Sequence, residues 1–334
     1  MKKHQVAVIA LLAIAAAITV GCGNSSPTFS KMPFMSDRTV DPSTPLFIMK
    51  LDGSTVTPIQ LSDTNIWSPT ISANLKMVVY VQNSEVWTSN ADGTNPVQLT
   101  HNSDNNNFSG YARISPNGRK ILYQVGVNSE EVYHMFVMNV DGTGSVDLNS
   151  SLPEGETGCY TGSFSADSSK VALGCYSSTD STAFGIFTAS ADGTHMTPVL
   201  TQSAFLDTPT FTPNDKQILF ITYGTPGAQS KHAFNASKFR PSSRPSHNQR
   251  LHSYGTVTPV DNGVASVNVD GSNAAIIVPN ADELDILNSN LYYSINNSDL
   301  NLEQISKSNL DGTAPVTLSD GSANDWLGIN CDCY

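Results

Sequence analysis

From Tyr111 to Thr143 the chain reads YARISPNGRKILYQVGVNSEEVYHMFVMNVDGT, and its apolar positions fall in three short runs separated by turn residues. The first run ends at Ser115-Pro116-Asn117-Gly118. The second covers Lys120 to Val125, and the third runs from Tyr133 to Val140 and stops at Asp141-Gly142-Thr143. Alternation over runs this short predicts strands rather than helices. Pro-Asn-Gly supplies a fixed φ followed by positive φ, and Asp-Gly after an alternating run is a strong hairpin signal. The stretch therefore predicts three strands joined by tight turns.

Asp-Gly-[Thr/Ser] recurs at Asp52, Asp92, Asp141, Asp192, Asp270 and Asp311, with successive spacings of 40, 49, 51, 78 and 41 residues. An upstream motif keeps step with it: Ile71-Ser72-Ala73-Asn74, Ile114-Ser115-Pro116-Asn117, Phe164-Ser165-Ala166-Asp167 and Phe211-Thr212-Pro213-Asn214 each lead into a β-rich run. A period near 40–50 residues with two submotifs in register marks four-stranded propeller blades.

At these residues the chain resembles the TolB-type six-bladed β-propeller with WD40-like repeats, whose units carry a Ser-Pro-Asp-Gly-like turn and an Asp-Gly-Thr turn. The resemblance covers about residues 46–334. It implies an all-β fold, a six-bladed β-propeller closed by joining N-terminal and C-terminal half-blades. The small N-terminal domain that accompanies the propeller in TolB has no counterpart on this reading. With strands lettered A to D from the channel outward, the first turn joins A to B and the second joins C to D, so both lie on one face. The D–A and B–C connections lie on the other. Residues 68–100, 111–149, 160–201, 208–278 and 285–318 form blades 1 to 5. The sixth takes strands C and D from Leu46 to Gly53 and strand A, with a stub of B, from Asp325 to Tyr334, so three strands are expected there. Sharing the blade removes two exposed sheet edges.

Upstream, Lys2 and Lys3 precede an apolar run from Val6 to Val20, the pattern of a secretory signal peptide over residues 1–21. Thr19-Val20-Gly21-Cys22 resembles a lipoprotein lipobox, which makes Cys22 the expected lipidation site; the alternative is ordinary cleavage leaving Cys22 unmodified. Residues 22–45, rich in Ser, Pro, Asn and Thr, are expected to be a flexible tether. The implied location is the bacterial cell envelope, lipid-anchored, in the outer membrane with the domain facing periplasm or surface.

The chain carries a net charge of −12, and without Lys2 and Lys3 it has 15 basic against 29 acidic residues. Nucleic acid is thereby excluded as a partner class. Beyond Cys22, Cys159 and Cys175 sit almost symmetrically about the Asp167 turn, and a cross-strand disulfide is the favoured reading. Cys331 and Cys333 leave two readings open, a strained disulfide or a thiolate pair. No other metal-binding spacing is present, and neither metal nor cofactor is expected. The Asp-Gly aspartates read as turn caps rather than calcium ligands.

Nucleophile elbow, His-Glu-x-x-His, phosphate-loop and EF-hand patterns are absent. Trp67, Tyr111 and Tyr160, near the starts of strands A, either stack on a ligand at the channel mouth or pack between blades. The 78-residue spacing places an insertion at about 223–254. It holds Lys238, Arg240, Arg244 and Arg250 and no acidic residue. Ser/Pro-rich composition argues for disorder there, while the charge suits an acidic surface. The reading that follows is a non-enzymatic, lipid-anchored propeller binding a protein, peptide or envelope polymer on its D–A/B–C face. Two alternatives stand beside it: a lyase-like enzyme on acidic polysaccharide using His101, Arg113 and Tyr111, and a purely structural surface protein.

Overall fold

Each repeat folds as a four-stranded antiparallel meander, because its two turn motifs close themselves with their own side chains. In blade 2 the strands are A Ala112–Ile114, B Lys120–Val127, C Val132–Asn139 and D Val146–Asp147. The A–B turn is held by Asn117, whose Oδ1 accepts from the Ser115 hydroxyl (2.8 Å) and the Arg119 N–H (3.0 Å). Gly118 takes φ 68° there. At the C–D turn Asp141 Oδ1 accepts from the Thr143 hydroxyl at 2.6 Å and its N–H at 3.0 Å, and Gly142 takes φ 84°. The same pair of bonds recurs at Asp52, Asp92, Asp192, Asp270 and Asp311. Hydrogen bonding from the neighbouring hydroxyl and N–H holds all six carboxyls below the usual range. Each aspartate therefore works as a turn cap.

The computed structural model describes residues 30–36, 46–59, 61, 66–72, 74–105, 107–127, 132–153, 158–177, 184–202, 204–224, 262–297, 302–319, 323 and 325–327. Six such sheets stand in a ring, with strands A innermost: Ile66–Ile71, Ala112–Ile114, Gly158–Phe164, Leu206–Phe211, Ala281–Leu287 and Asp325–Trp326. The core lies between facing blades. Val79, Val81 and Val86 of blade 1 pack on Ile114, Ile121 and Tyr123 of blade 2, and Leu219 and Val264 of blade 4 pack on Leu284 and Tyr293 of blade 5. Each such side chain contributes about 1.5–3 kcal/mol on burial.

The sixth blade differs from expectation. Its order is Asp325–Trp326, Lys31–Ser36, Leu46–Lys50, Thr57–Pro58, so the C-terminal segment supplies strand A alone and the N-terminal side supplies B, C and D. The blade has four strands, not three. Lys31–Ser36, assigned from sequence to the flexible tether, is a strand paired with Leu46–Lys50 from Lys31↔Lys50 to Met35↔Leu46. The reason is burial: Met32, Phe34 and Met35 are all fully buried, which a sequence window dominated by Ser, Pro and Thr concealed. The signal segment, Cys22, Cys331, Cys333 and the insertion from 225 onward lie outside the described residues.

Candidate functional site

One register position in the repeat builds the site. In blades 1 to 4 the apolar residue before the A–B turn, Ile71, Ile114, Phe164 or Phe211, follows a polar one, Thr70, Arg113, Ser163 or Thr210. All eight line a cavity of about 380 Å³ on the channel. Blade 5 departs from the pattern and offers Asp285 with Leu287, while Pro33 of the sixth blade completes the circle. The A–B turn residues Pro116, Ala166, Pro213 and Asn288 rim it, so the cavity opens on the face that carries the A–B and C–D turns. Ser68 and Thr208 take left-handed φ values of 52° and 49° where the pairing of their strands shifts. These bulges re-aim the strands just ahead of Thr70 and Thr210.

Arg113 and Asp285 meet across this space, with Nη1 to Oδ2 at 3.5 Å and side chains 8% and 24% exposed. Arg113 Nε donates to the Tyr111 hydroxyl at 3.0 Å, and that hydroxyl donates to the Gly162 carbonyl of blade 3. Asp285 Oδ1 accepts the Ile286 N–H at 2.8 Å. Further along the channel, Asp207 of blade 4 is fully buried. Desolvation pushes its carboxyl up to about 6, opposed by the Thr208 N–H at 2.6 Å and by the Arg113 guanidinium. Ser163 Oγ is buried without a hydrogen-bond partner. Among the described residues no group of three or more His, Cys, Asp or Glu is placed to hold a metal.

Of the candidate site residues from sequence that are among the described residues, Arg113 alone lines this cavity. Tyr111 and Tyr160 are buried and bridge blades: Tyr160 donates to the Leu206 carbonyl of blade 4 and stacks on Phe205 at 5.4 Å. Trp67 is half-buried against the seam of blades 1 and 2. These aromatics therefore pack between blades rather than present rings to a ligand, because the hydroxyls find carbonyl acceptors on the next innermost strand. His101 is exposed, with Nδ1 3.1 Å from the Gln98 amide, and does not line the cavity. Lys238, Arg240, Arg244 and Arg250 lie outside the described residues. The strands that flank their segment pair as far as Tyr223↔Asn262. Asp285, Thr70, Ser163 and Thr210 were missed. Their signal was available as the variable residue two places before each turn Ser or Thr, with blade 5 breaking the rule. A disulfide joins Cys159 to Cys175, directly opposed across strands A and B of blade 3.

No protein-family model matches the sequence, and no curated protein matches it. Among solved structures, TolB from Acinetobacter baumannii superposes with a TM-score of 0.62 at 13% identity, over 89% of this chain and 65% of that one. The fold is a TolB-type six-bladed β-propeller. This chain spans just under two thirds of that TolB's length. The propeller is also similar to a chain of a nidogen/laminin complex, with a TM-score of 0.58 at 12% identity over 89% of this chain and 96% of that one. An oligogalacturonate lyase in complex with manganese gives 0.50 at 11% identity over 87% and 74%. At these identities the likeness establishes the fold.

Proposed function

We propose that this propeller is a non-enzymatic binding protein of the bacterial cell envelope, anchored by lipid at Cys22, that takes a protein partner at the A–B/C–D end of its channel. The observation that carries the reading is the cavity to which all six blades contribute, where apolar and hydroxyl-bearing side chains alternate around the ring and Arg113 meets Asp285 across it. Its size and lining suit capture of a projecting group, since such pockets combine apolar walls with a few placed polar groups. The face differs from the one expected from loop charge, because the cavity lies among the A–B turns. The basic segment at 223–254 then serves as a second, charge-steered contact, weakened by salt. The nidogen/laminin complex, in which a similar propeller takes part, is consistent with protein binding. The envelope assignment rests on the Met1–Cys22 pattern together with the likeness to TolB.

Purified propeller used as bait on envelope extract tests this reading. Thr70→Trp, which fills the cavity, should abolish partner capture while the melting curve stays within a few degrees of wild type. Undiminished capture by a folded Thr70→Trp protein would remove the cavity from the function. Turnover of a uronic-acid polymer, lost in His101→Ala, would instead establish the lyase reading.

A further inference from the structure

We infer that the group this cavity receives is an ammonium on an aliphatic stem, the side chain of a lysine projecting from the partner. This rests on the binding reading above and adds the chemistry of the ligand. Three polar positions of the lining are able to accept a hydrogen bond from it. Thr210 spends its hydroxyl hydrogen on the Thr208 carbonyl at 3.0 Å, so lone pairs are what it presents to the cavity. Asp285 is a carboxylate with about four lone-pair sites, engaged by Arg113 at 3.5 Å and by the Ile286 N–H at 2.8 Å. Ser163, 8% exposed, brings a buried Oγ without a hydrogen-bond partner to the same lining. These residues stand on the innermost strands of three consecutive blades, 3, 4 and 5. An ammonium directs three donors and accepts nothing, whereas a guanidinium holds its donors in one plane.

Charge points the same way. Arg113 faces two carboxylates, Asp285 in the cavity and Asp207 further along the channel. Burial lifts Asp207 only to about 6, so it is ionised at pH 7, and two carboxylates against one guanidinium leave the cluster negative. The carboxylate is also the more open end of the lining pair, with Asp285 24% exposed against 8% for Arg113. An arriving cation therefore meets Asp285 first and brings the cluster to neutrality, while an anion would deepen its charge. A neutral polyol would find the hydroxyls but draw nothing from that charge. The chain's net charge of −12 works in the same direction at longer range. Ile71, Ile114, Phe164, Phe211 and Leu287 interleave with the polar positions and supply apolar surface for the methylenes of the stem.

The test is ligand-observed NMR titration of the purified full chain at low salt. The probes are N-acetyllysinamide, N-acetylnorleucinamide, N-acetylargininamide, the α-amide of N-acetylglutamic acid and methyl β-glucoside. The lysine probe should bind about tenfold more tightly than the norleucine one, which lacks only the amine, and added salt should narrow that gap. Asp285→Asn should reduce the preference to about threefold or less. Thr210→Val, which keeps the shape of the site without touching the Arg113 contact, should narrow it by about threefold. Thr70→Trp should abolish binding of every probe. Equal affinity for the lysine and norleucine probes, tighter binding of any of the other three, or a preference unchanged by Thr210→Val in a folded protein overturns the lysine assignment. If the lysine preference fails while Thr70→Trp still abolishes partner capture, the binding reading survives and only the ligand class is wrong.

Discussion

Blade 3 and the closing blade solve the same problem with unequal means. In blade 3 all four strands come from one continuous segment, and the inner strand Gly158–Phe164 is seven residues long. A disulfide ties that strand to its neighbour, and Tyr160 ties it to blade 4. In the closing blade the inner strand is two residues, Asp325–Trp326, from the far end of the chain. It is held by the register Met35↔Trp326 and Ser36↔Asp325, by the Ser36 hydroxyl donating to Asp325 at 2.5 Å, and by the Leu327 N–H donating to the buried Glu283. Redundancy protects the first, whereas loss of the second exposes a whole strand edge.

Removing residues 325–334 attacks the weaker side of that contrast and should have the largest effect. It takes away buried Leu327, uncovers the edge of Lys31–Ser36 and strands Glu283 without the Leu327 N–H. A loss of about 4 kcal/mol or more is expected, read by urea denaturation. A truncated protein with the wild-type midpoint would show that the short strand closes nothing.

The next effect lies at the seam of blades 3 and 4, where Asp207 is buried. Burial raises its folded carboxyl from 3.8 to about 6. Between those values the folded state holds a proton that the unfolded state has released. Its contribution therefore favours the fold below about pH 4 and is lost as pH rises through about 6. Asp207→Asn should flatten the stability profile across that window and gain roughly 1–3 kcal/mol at pH 7, reduced by the lost attraction to Arg113. An unchanged slope between pH 4 and 6 would mean that Asp207 does not titrate there.

The disulfide is of comparable size. The loop closed by Cys159 and Cys175 spans 16 residues, and Cys159→Ser should cost about 2–3 kcal/mol by the chain-entropy account. Because the strands remain paired through Phe164↔Val171, the blade should survive the change. Failure to fold would make blade 3 as dependent on one link as the closing blade. Replacing Gly227 to Ser253 by a short Gly/Ser turn should move stability least, by about 0.5 kcal/mol or less, since strands B and C of blade 4 already pair from Gln217↔Asn268 to Tyr223↔Asn262.

The fold was legible because its turns are written into consecutive residues: Asp-Gly-Thr and Ser-x-Asn state their own hydrogen bonds. The closing blade was only half legible, since Lys31–Ser36 earns its place by pairing with strands from both directions, and no local window contains Asp325. The site was less legible still. Arg113 stood out as a cation near an innermost strand, but its partner lies 172 residues away. Tyr111 and Tyr160 left two readings open because an aromatic at the start of a strand looks the same whether it faces a ligand or the next blade.

The register between Ser36 and Asp325 sets an order of events as well as a structure. Those residues are 289 apart, so the ring stays open until Asp325 has emerged. Blades 1 to 5 form from local hairpins, but the seal must wait for an encounter between Lys31–Ser36 and Asp325–Trp326. Contacts this distant fold slowly. Until then the nascent chain presents the unpaired edge of Lys31–Ser36 to its surroundings, and this interval is when a chaperone or a second copy would find it most readily.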